Sequence, residues 1–256
     1  MLGENQIKPI YPANSREFIK SREFWGLRRL RGDVPGIDRR AGRHHGIDMK
    51  VLAVECSTEA AGLALLADGA VAGQVEFAAG NRRSQELFDA AESLLADAGW
   101  NWADVDVFAV GRGPGMYTGL RVAMTAANGW ALPGGKPVWT VSSAAALAAE
   151  ELATHPEAAE VAAWGTARRG TIWAGRFARD GKARVKQTGD WQLLPAGQEG
   201  SIWPEARWTA PGRRPRAEWV GRLFFAGGGS EARQPIYLHP AVAAPPRFDA
   251  DGNPLA

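Results

Sequence analysis

The sequence predicts an α/β protein, and the 208 residues from Met49 onward are enough for two small lobes. Three observations lead to this prediction: three short strands over residues 51–77, an amphipathic helix over 84–98, and a glycine-rich turn at 113–115 that joins a strand to a second helix. Because strands alternate with helices along the chain, a sheet covered by helices is the expected architecture.

The first strand, residues 51–55, is apolar and ends in Glu55, and the polar turn Cys56-Ser-Thr-Glu59 separates it from a second apolar strand at 62–66. Asp68-Gly69 is a favoured two-residue hairpin turn, so the alternating segment 71–77 is the third strand. A strand that ends in an acid before a Ser/Thr turn is how actin-like ATPases hold phosphates and metal-bound water. It is equally typical of any hairpin with a polar loop.

The clearest helix runs from Ser84 to Ala98 and ends at Gly99, where a C-terminal cap is expected. Its opposite face is acidic, with Glu86, Asp89 and Asp97. The apolar residues recur with a helical period and form one stripe: Leu87, Phe88, Ala91, Leu94, Leu95 and Ala98. The stripe indicates packing against the sheet.

The segment Gly113-Pro-Gly115 cannot continue a strand, because proline lacks the amide donor and glycine tolerates positive φ. The chain must turn there and present backbone amides at the start of a helix over 118–131, a geometry that suits a phosphate. No Gly-Lys-Ser/Thr follows, and the third glycine is misplaced for a dinucleotide fingerprint. The residues alone favour a structural strand-to-helix turn.

A second unit begins at Val138, with a short strand to 141, a helix capped by Ser142-Ser143 that extends to about Thr154, and strands at 161–164 and 171–177. Beyond Lys186 the apolar residues show neither a helical nor a strand period. The predicted boundaries are a non-native or disordered extension at 1–48, an N-terminal lobe at 49–137, and a shorter C-terminal lobe at 138–256 with a loose tail from 241. The extension is interpreted either as an arginine-bearing arm that touches RNA or, preferably, as upstream codons included by a mistaken gene model.

Charge and cysteine content narrow the function classes. The chain has 30 Lys/Arg and 28 Asp/Glu residues, of which the first 48 positions hold 10 basic and 6 acidic residues. The predicted fold from residue 49 onward therefore has 20 basic and 22 acidic residues, a formal charge of −2. The predicted fold is therefore not expected to be a basic nucleic-acid-binding domain. No apolar run approaches the length of a membrane helix, and the single Cys56 permits no intramolecular disulfide, so a reducing, cytoplasmic location is expected.

Two long motifs and two short ones resemble a known family. Met49-Lys-Val-Leu-Ala-Val-Glu-Cys-Ser-Thr-Glu-Ala60 resembles the opening of the bacterial TsaB proteins, also called YeaZ. Gly113-Pro-Gly-Met-Tyr-Thr-Gly-Leu-Arg121 is similar to their signature Gly-Pro-Gly-Ser-Phe-Thr-Gly-Leu-Arg. Ala167-Arg-Arg-Gly170 and Pro235-Ile-Tyr-Leu238 follow in the family's order, and the resemblance covers residues 49–240.

The resemblance implies the actin/sugar-kinase/Hsp70-like (ASKHA) fold, with two small lobes of mixed sheet and helices. It also implies a role in making threonylcarbamoyladenosine at adenosine 37 of tRNAs that read codons beginning with A. It implies a non-catalytic subunit that partners TsaD and, through it, a TsaE-like ATPase. The tRNA is then contacted only via the complex, no membrane is involved, and homodimer formation is an open possibility. No metal or other cofactor is expected.

The resemblance also implies roles for particular residues. Vestigial nucleotide loops would comprise Ser57, Thr58, Gly113 and Gly115. The partner interface would comprise six residues of the two predicted helices: Leu87, Ala91, Leu94, Leu95, Ala123 and Ala127. The residues alone leave a second interpretation of these six open, in which they pack against the lobe's own sheet.

The chain departs from the family at several positions that bear on catalysis. Glu55 stands where the family has Asp, Met116-Tyr117 replace Ser-Phe, and Thr166 stands where Asp is usual. TsaD-type proteins bind metal through a His-x-x-x-His pair, where this chain has Asn81-Arg-Arg-Ser-Gln-Glu-Leu87. His155 and His239 each precede a proline and are expected to be solvated or capping side chains. His44-His45 form no shaped site.

Three functions are therefore weighed: a TsaB-like subunit, an ASKHA-fold enzyme of the TsaD, peptidase or kinase kind, and a homodimeric interaction protein. The enzyme would need a metal pair or a catalytic acid in the second lobe, and the sequence offers no convincing candidate. The first and third are hard to separate, because one apolar face can serve both.

Overall fold

The computed structural model describes residues 49–78, 83–181, 184–232, 234–238, 247–248 and 254–255. Within these residues the chain forms two five-stranded sheets with four α-helices. The predicted α/β class, with two units of mixed sheet and helix, is confirmed. The predicted extension at 1–48, His44, His45, His239 and most of the tail from 241 lie outside the described residues.

The first sheet has the order β3-β2-β1-β4-β5. Three antiparallel strands come first in the chain, and two strands parallel to β1 follow. The five strands are β1 (Lys50–Glu55), β2 (Ala60–Ala67), β3 (Ala70–Ala78), β4 (Val107–Gly111) and β5 (Val138–Val141). The predicted hairpin turn is confirmed, since Asp68 and Gly69 both have positive φ, at 49° and 83°.

The second sheet has the order β10-β6-β7-β8, and β9 also pairs with β7. All of its pairings are antiparallel except that of β10 with β6. The strands are β6 (Glu160–Thr166), β7 (Thr171–Asp180), β8 (Arg184–Gln187), β9 (Gln192–Pro195) and β10 (Arg207–Trp208). In the C-terminal tail, β11 (Arg247–Phe248) and β12 (Pro254–Leu255) pair with each other.

Helices cover both faces of the first sheet. They are α1 (Arg83–Asp97), α2 (Tyr117–Ala131), α3 (Ser143–Thr154) and α4 (Ala217–Leu223). Side chains alternate along β1, so Leu52 and Val54 pack under α1 and α2, whereas Val51 and Ala53 pack under α3 and α4. Strands buried on both faces explain the continuous apolar runs in the sequence.

Helix α3 lies between the two sheets. Ala146 and Ala149 pack on the first sheet, and Leu147 and Leu152 pack on the second. Ser142 caps the helix as predicted, accepting a hydrogen bond from the Ala145 amide at 3.2 Å. Strand β5 follows the predicted boundary at 137/138 yet belongs to the first sheet, and the division into independent domains stays a prediction.

Candidate functional site

Two loops that are far apart in the sequence meet at the carboxyl ends of the strands of the first sheet. The β1–β2 turn and the β4–α2 loop follow neighbouring parallel strands, whose carboxyl ends lie side by side. The Met116 amide donates to the Ser57 carbonyl at 2.7 Å. A β-carbon on Gly115 would lie 2.2 Å from the same carbonyl oxygen. Ser57 and Gly115, both predicted to line a nucleotide site, are thus in direct contact.

The start of α3 closes the site from a third side. The Gly113 amide donates to the Ser143 hydroxyl at 3.0 Å, and the Ser143 amide donates to the Gly113 carbonyl at 2.9 Å. Sequence reasoning treated Ser143 only as part of a helix cap. The signal that was available is its position two residues after β5, the third parallel strand, because the carboxyl ends of parallel strands converge.

The carboxyl group of Glu55 is sealed inside this junction, with only 2% of the residue exposed. Its Oε1 accepts a hydrogen bond from the Ser57 amide at 2.6 Å. A β-carbon on Gly111 would lie 2.0 Å from Oε2 and 2.8 Å from the Ser143 hydroxyl, so the carboxyl fits only because residue 111 is glycine.

Burial raises the pKa of Glu55, and the nearby Ser143 and Ser57 groups oppose this effect less strongly. Oε2 and the Ser57 hydroxyl form no hydrogen bond of ordinary geometry with any described residue. The acid at the end of β1 is therefore packed as a core side chain. It is not displayed toward solvent, where a metal-bound water would have to be reached.

The backbone donors of the glycine loop are largely used within the chain. The amides of Arg112, Gly113 and Met116 donate to Val141, Ser143 and Ser57 respectively. The Thr58 hydroxyl is engaged with the main chain of Ala60, at 3.2 and 3.3 Å. A phosphate needs free amides at such a turn. These contacts leave few backbone amides free to bind a phosphate. Nucleotide binding by Ser57, Thr58, Gly113 and Gly115 stays a prediction.

The predicted interface residues lie in the protein's own interior. Their exposed fractions are between 0% and 7%, and all belong to the core between the sheet and the helices α1 and α2: Leu87, Ala91, Leu94, Leu95, Ala123 and Ala127. The expectation that these side chains face a partner is thereby corrected in favour of the core interpretation. The apolar stripe of each helix is what covers the sheet, so it is not available to another subunit.

A smaller apolar surface remains on the outside of the same helices. Phe88 is 43% exposed on α1, and Leu132, directly after α2, is 80% exposed. Trp130, in the last turn of α2, is half-buried against the core, and its ring contacts that of Phe88 edge to face with 5.1 Å between the ring centroids. We refer to the exposed or half-buried apolar residues of these helix ends and outer faces, Phe88, Trp130 and Leu132, as the α1–α2 patch.

In the described part of the chain, no group of three or more His, Cys, Asp or Glu side chains could hold a metal ion. The predicted capping role of His155 is confirmed, because it ends α3 with Nδ1 at 3.1 Å from the Glu151 carbonyl. Its Nε2 accepts from Arg207 at 2.7 Å. Cys56 is buried, as predicted for a small turn residue.

A charged cluster that sequence reasoning missed joins α3 to the segment before α4. Glu150 is nearly buried and pairs with Arg213 at 3.0 Å and with Arg216 at 3.5 Å, and Arg216 also pairs with Glu218. Burial raises the pKa of Glu150 although both arginines oppose it. The cluster borders a cavity of about 160 Å³. Paired carboxylates of this kind tie elements together, and the adjacent Glu150-Glu151 in an alanine-rich helix was the available signal.

Comparison with known proteins agrees with this architecture. The family model described as TsaD, tRNA N6-adenosine threonylcarbamoyltransferase, matches residues 76–212, more than half of the chain. The Escherichia coli (strain K12) protein named tRNA threonylcarbamoyladenosine biosynthesis protein TsaB is 31% identical over 132 residues, 52% of this chain and 56% of that protein. The chain belongs to the TsaB (YeaZ) family.

Other TsaB-family proteins extend the comparison. The TsaB of Bacillus subtilis (strain 168) is 34% identical over 101 residues, 40% of this chain and 44% of that protein. The solved structure of YeaZ from Pseudomonas aeruginosa has 28% identity and a TM-score of 0.63, and the match covers 74% of this chain and all of that one. The chain therefore has the fold of that YeaZ structure, as the resemblance to the TsaB family led us to expect. In sequence, it spans about half the length of the curated relatives it matches.

No helix in the described part of the TsaB-family chain is both long and apolar enough to cross a bilayer.

Proposed function

We propose that this chain is a non-catalytic TsaB-like subunit that partners a TsaD-like subunit in adding the threonylcarbamoyl group to adenosine 37 of tRNAs reading codons that begin with A. Family membership supports the reaction, because the relatives are named for threonylcarbamoyladenosine biosynthesis. The observation that supports a non-catalytic role is the closed junction between Ser57 and Gly115, where loop amides serve the protein itself.

The partner set follows from the same proposal. The chain binds the TsaD-like subunit, contacts the TsaE-like ATPase through it, and works in the cytoplasm. The α1–α2 patch is the surface we assign to this contact, because exposed aromatic and aliphatic side chains are typical anchors of protein interfaces. Leu132 supports this assignment most directly, since 80% of this leucine is exposed and covering it with a partner removes apolar surface from water.

Two other functions remain distinguishable from this one. An ASKHA-fold enzyme would need an acid that its substrate can reach, and the buried Glu55 carboxyl argues against this function. A homodimeric interaction protein would use the same α1–α2 patch for self-association, so it predicts a dimer without any second gene product.

The deciding experiment is co-purification of the tagged chain with the TsaD homologue of the same cell. The proposal predicts a stoichiometric complex that restores threonylcarbamoyl transfer, whereas the isolated chain shows neither transfer nor appreciable ATP turnover. Robust ATPase activity of the isolated chain that Ser57→Ala abolishes would overturn the non-catalytic role. A stable homodimer that never exchanges for the TsaD homologue would favour the interaction protein.

A further inference from the structure

Three side chains form an exposed cluster beside the closed junction. The rings of Tyr117 and Tyr237 lie 5.2 Å apart between centroids, tilted by 32°. The guanidinium carbon of Arg121 lies 4.4 Å from the centre of the Tyr117 ring, and Arg121 Nε donates to the Tyr237 hydroxyl at 3.4 Å. We call these three residues the Tyr–Arg platform.

The platform is built from segments that are distant in sequence and fixed separately. Tyr117 is the first residue of α2, directly after the glycine loop, and Arg121 lies one helical turn later. Tyr237 is held against this helix because the neighbouring Ile236 amide donates to the Arg112 carbonyl at 2.8 Å. The two rings are thus positioned by the backbone before any ligand arrives, which reduces the entropy lost on binding.

The platform nevertheless leaves much of its aromatic surface in water, with Tyr117 43% and Tyr237 45% exposed. An exposed ring has two uses in recognition: it anchors a protein partner, or it stacks on an unpaired base. In the contacts described, Arg121 donates only its Nε–H to the Tyr237 hydroxyl, so its two terminal nitrogens are available to bind a phosphate. Ring and guanidinium together match the two parts of a nucleotide in single-stranded RNA.

We propose that Tyr117, Tyr237 and Arg121 bind an unpaired nucleotide of RNA, with the base stacked on the exposed ring of Tyr237, which Tyr117 supports, and the phosphate held by the terminal nitrogens of Arg121. The inference rests on the proposed function for the presence of tRNA. It departs from the expectation that the RNA is reached only through other subunits.

The charge of helix α2 suits an RNA ligand at this position. Helix α2 contains Arg121 and no acidic residue, so nothing along it repels a phosphate backbone. The hydrogen bond with Tyr237 raises the pKa of Arg121, and the side chain remains cationic. Stacking on a ring is available to every base, so the site requires an unpaired base and no particular sequence.

The test measures binding of two fluorescently labelled RNAs to the full chain and to its complex with the TsaD homologue. One RNA is a hairpin with an adenosine-containing unpaired loop, and the other is a fully paired duplex of equal length. Tyr237→Ala should weaken hairpin binding about tenfold, through loss of one stacked base. Arg121→Gln should weaken it and flatten its salt dependence, whereas Tyr237→Phe retains the ring and should bind nearly as the native chain does.

Leu193→Ala and Arg184→Gln are matched controls, because both alter exposed side chains on the second sheet. Thermal melting confirms that each variant is folded. Equal hairpin affinity of Tyr237→Ala and the native chain, or no hairpin binding by either chain or complex, overturns the inference. So does an equal loss for hairpin and duplex, or a loss of TsaD binding with RNA binding unchanged, which would make the platform a protein contact. Formation of an active complex in any of these cases leaves the proposed function intact.

Discussion

Gly115 packs so closely on Ser57 that a β-carbon at residue 115 would lie 2.2 Å from the Ser57 carbonyl oxygen. The same closeness recurs at Gly111, where a β-carbon would lie 2.0 Å from the Glu55 carboxyl. Gly113 lies between them with φ of +92°, a conformation that favours glycine. The glycines of this segment are therefore explained by packing between two loops of one protein, without a ligand.

Replacing Gly115 with alanine should destabilise the fold by roughly 1–3 kcal/mol, because the added methyl group must displace the Ser57 backbone. Gly129→Ala is the matched control. That position lies in α2, and a β-carbon added there would meet nothing within 4 Å, so alanine should stabilise the helix by about 0.5–1 kcal/mol. Chemical unfolding of both variants measures the contrast, and equal effects would contradict the close contact.

Ala127→Arg should destabilise the monomer by roughly 3–5 kcal/mol, because it places an unpaired charge in the core between α2 and the sheet. Thr125→Arg, on the exposed face of the same helix, should change stability little. Thermal unfolding distinguishes the two. If Ala127→Arg melts like the native chain but fails to bind the TsaD homologue, residue 127 faces a partner and the core assignment is wrong.

The first lobe could be predicted well from local signals. Asp68-Gly69 specified a hairpin, and the stripe that contains Leu87 specified both a helix and its apolar face. That period does not say what covers the face, because a sheet of the same chain and a partner helix both bury the same side chains. The assignment of Leu87 and Ala127 to an interface was wrong for this reason.

Other features depended on contacts that no local pattern encodes. The bond between Gly113 and Ser143 joins residues 30 positions apart, and the sequence indicates only the strand ends from which it follows. Helix α4 has seven residues, too few for a helical period to stand out among Pro, Gly and Arg. Its existence is set by packing on β1 and β2, which requires the folded sheet.

Leu132→Asp should abolish binding of the TsaD homologue while leaving the monomer folded. The side chain is 80% exposed in the monomer, so the charge is hydrated there, but a partner that covers it would have to strip that water away. Leu193→Asp is the control, since residue 193 is an exposed leucine on the second sheet. Pull-down and melting of both variants report the outcome, and normal binding of Leu132→Asp would remove the α1–α2 patch from the interface.

The buried Glu55 should make the stability of the protein depend on pH. Its pKa in the native protein is raised above the ordinary value of 4.5, so the native state keeps a proton that the unfolded chain releases. The stabilisation due to this proton is complete below about pH 4.5 and is lost as the pH rises toward and through the native pKa. Glu55→Gln cannot titrate, and its stability relative to the native chain should therefore increase with pH, by at most about 1.4 kcal/mol per pH unit.

Chemical unfolding of both proteins from roughly pH 4 to pH 8 measures the difference, and Glu59→Gln controls for removal of one negative charge from the same turn. A constant difference across that range would mean that the Glu55 carboxyl is ionised in the native junction, with a proton donor from Ser57 or Ser143 that compensates its burial.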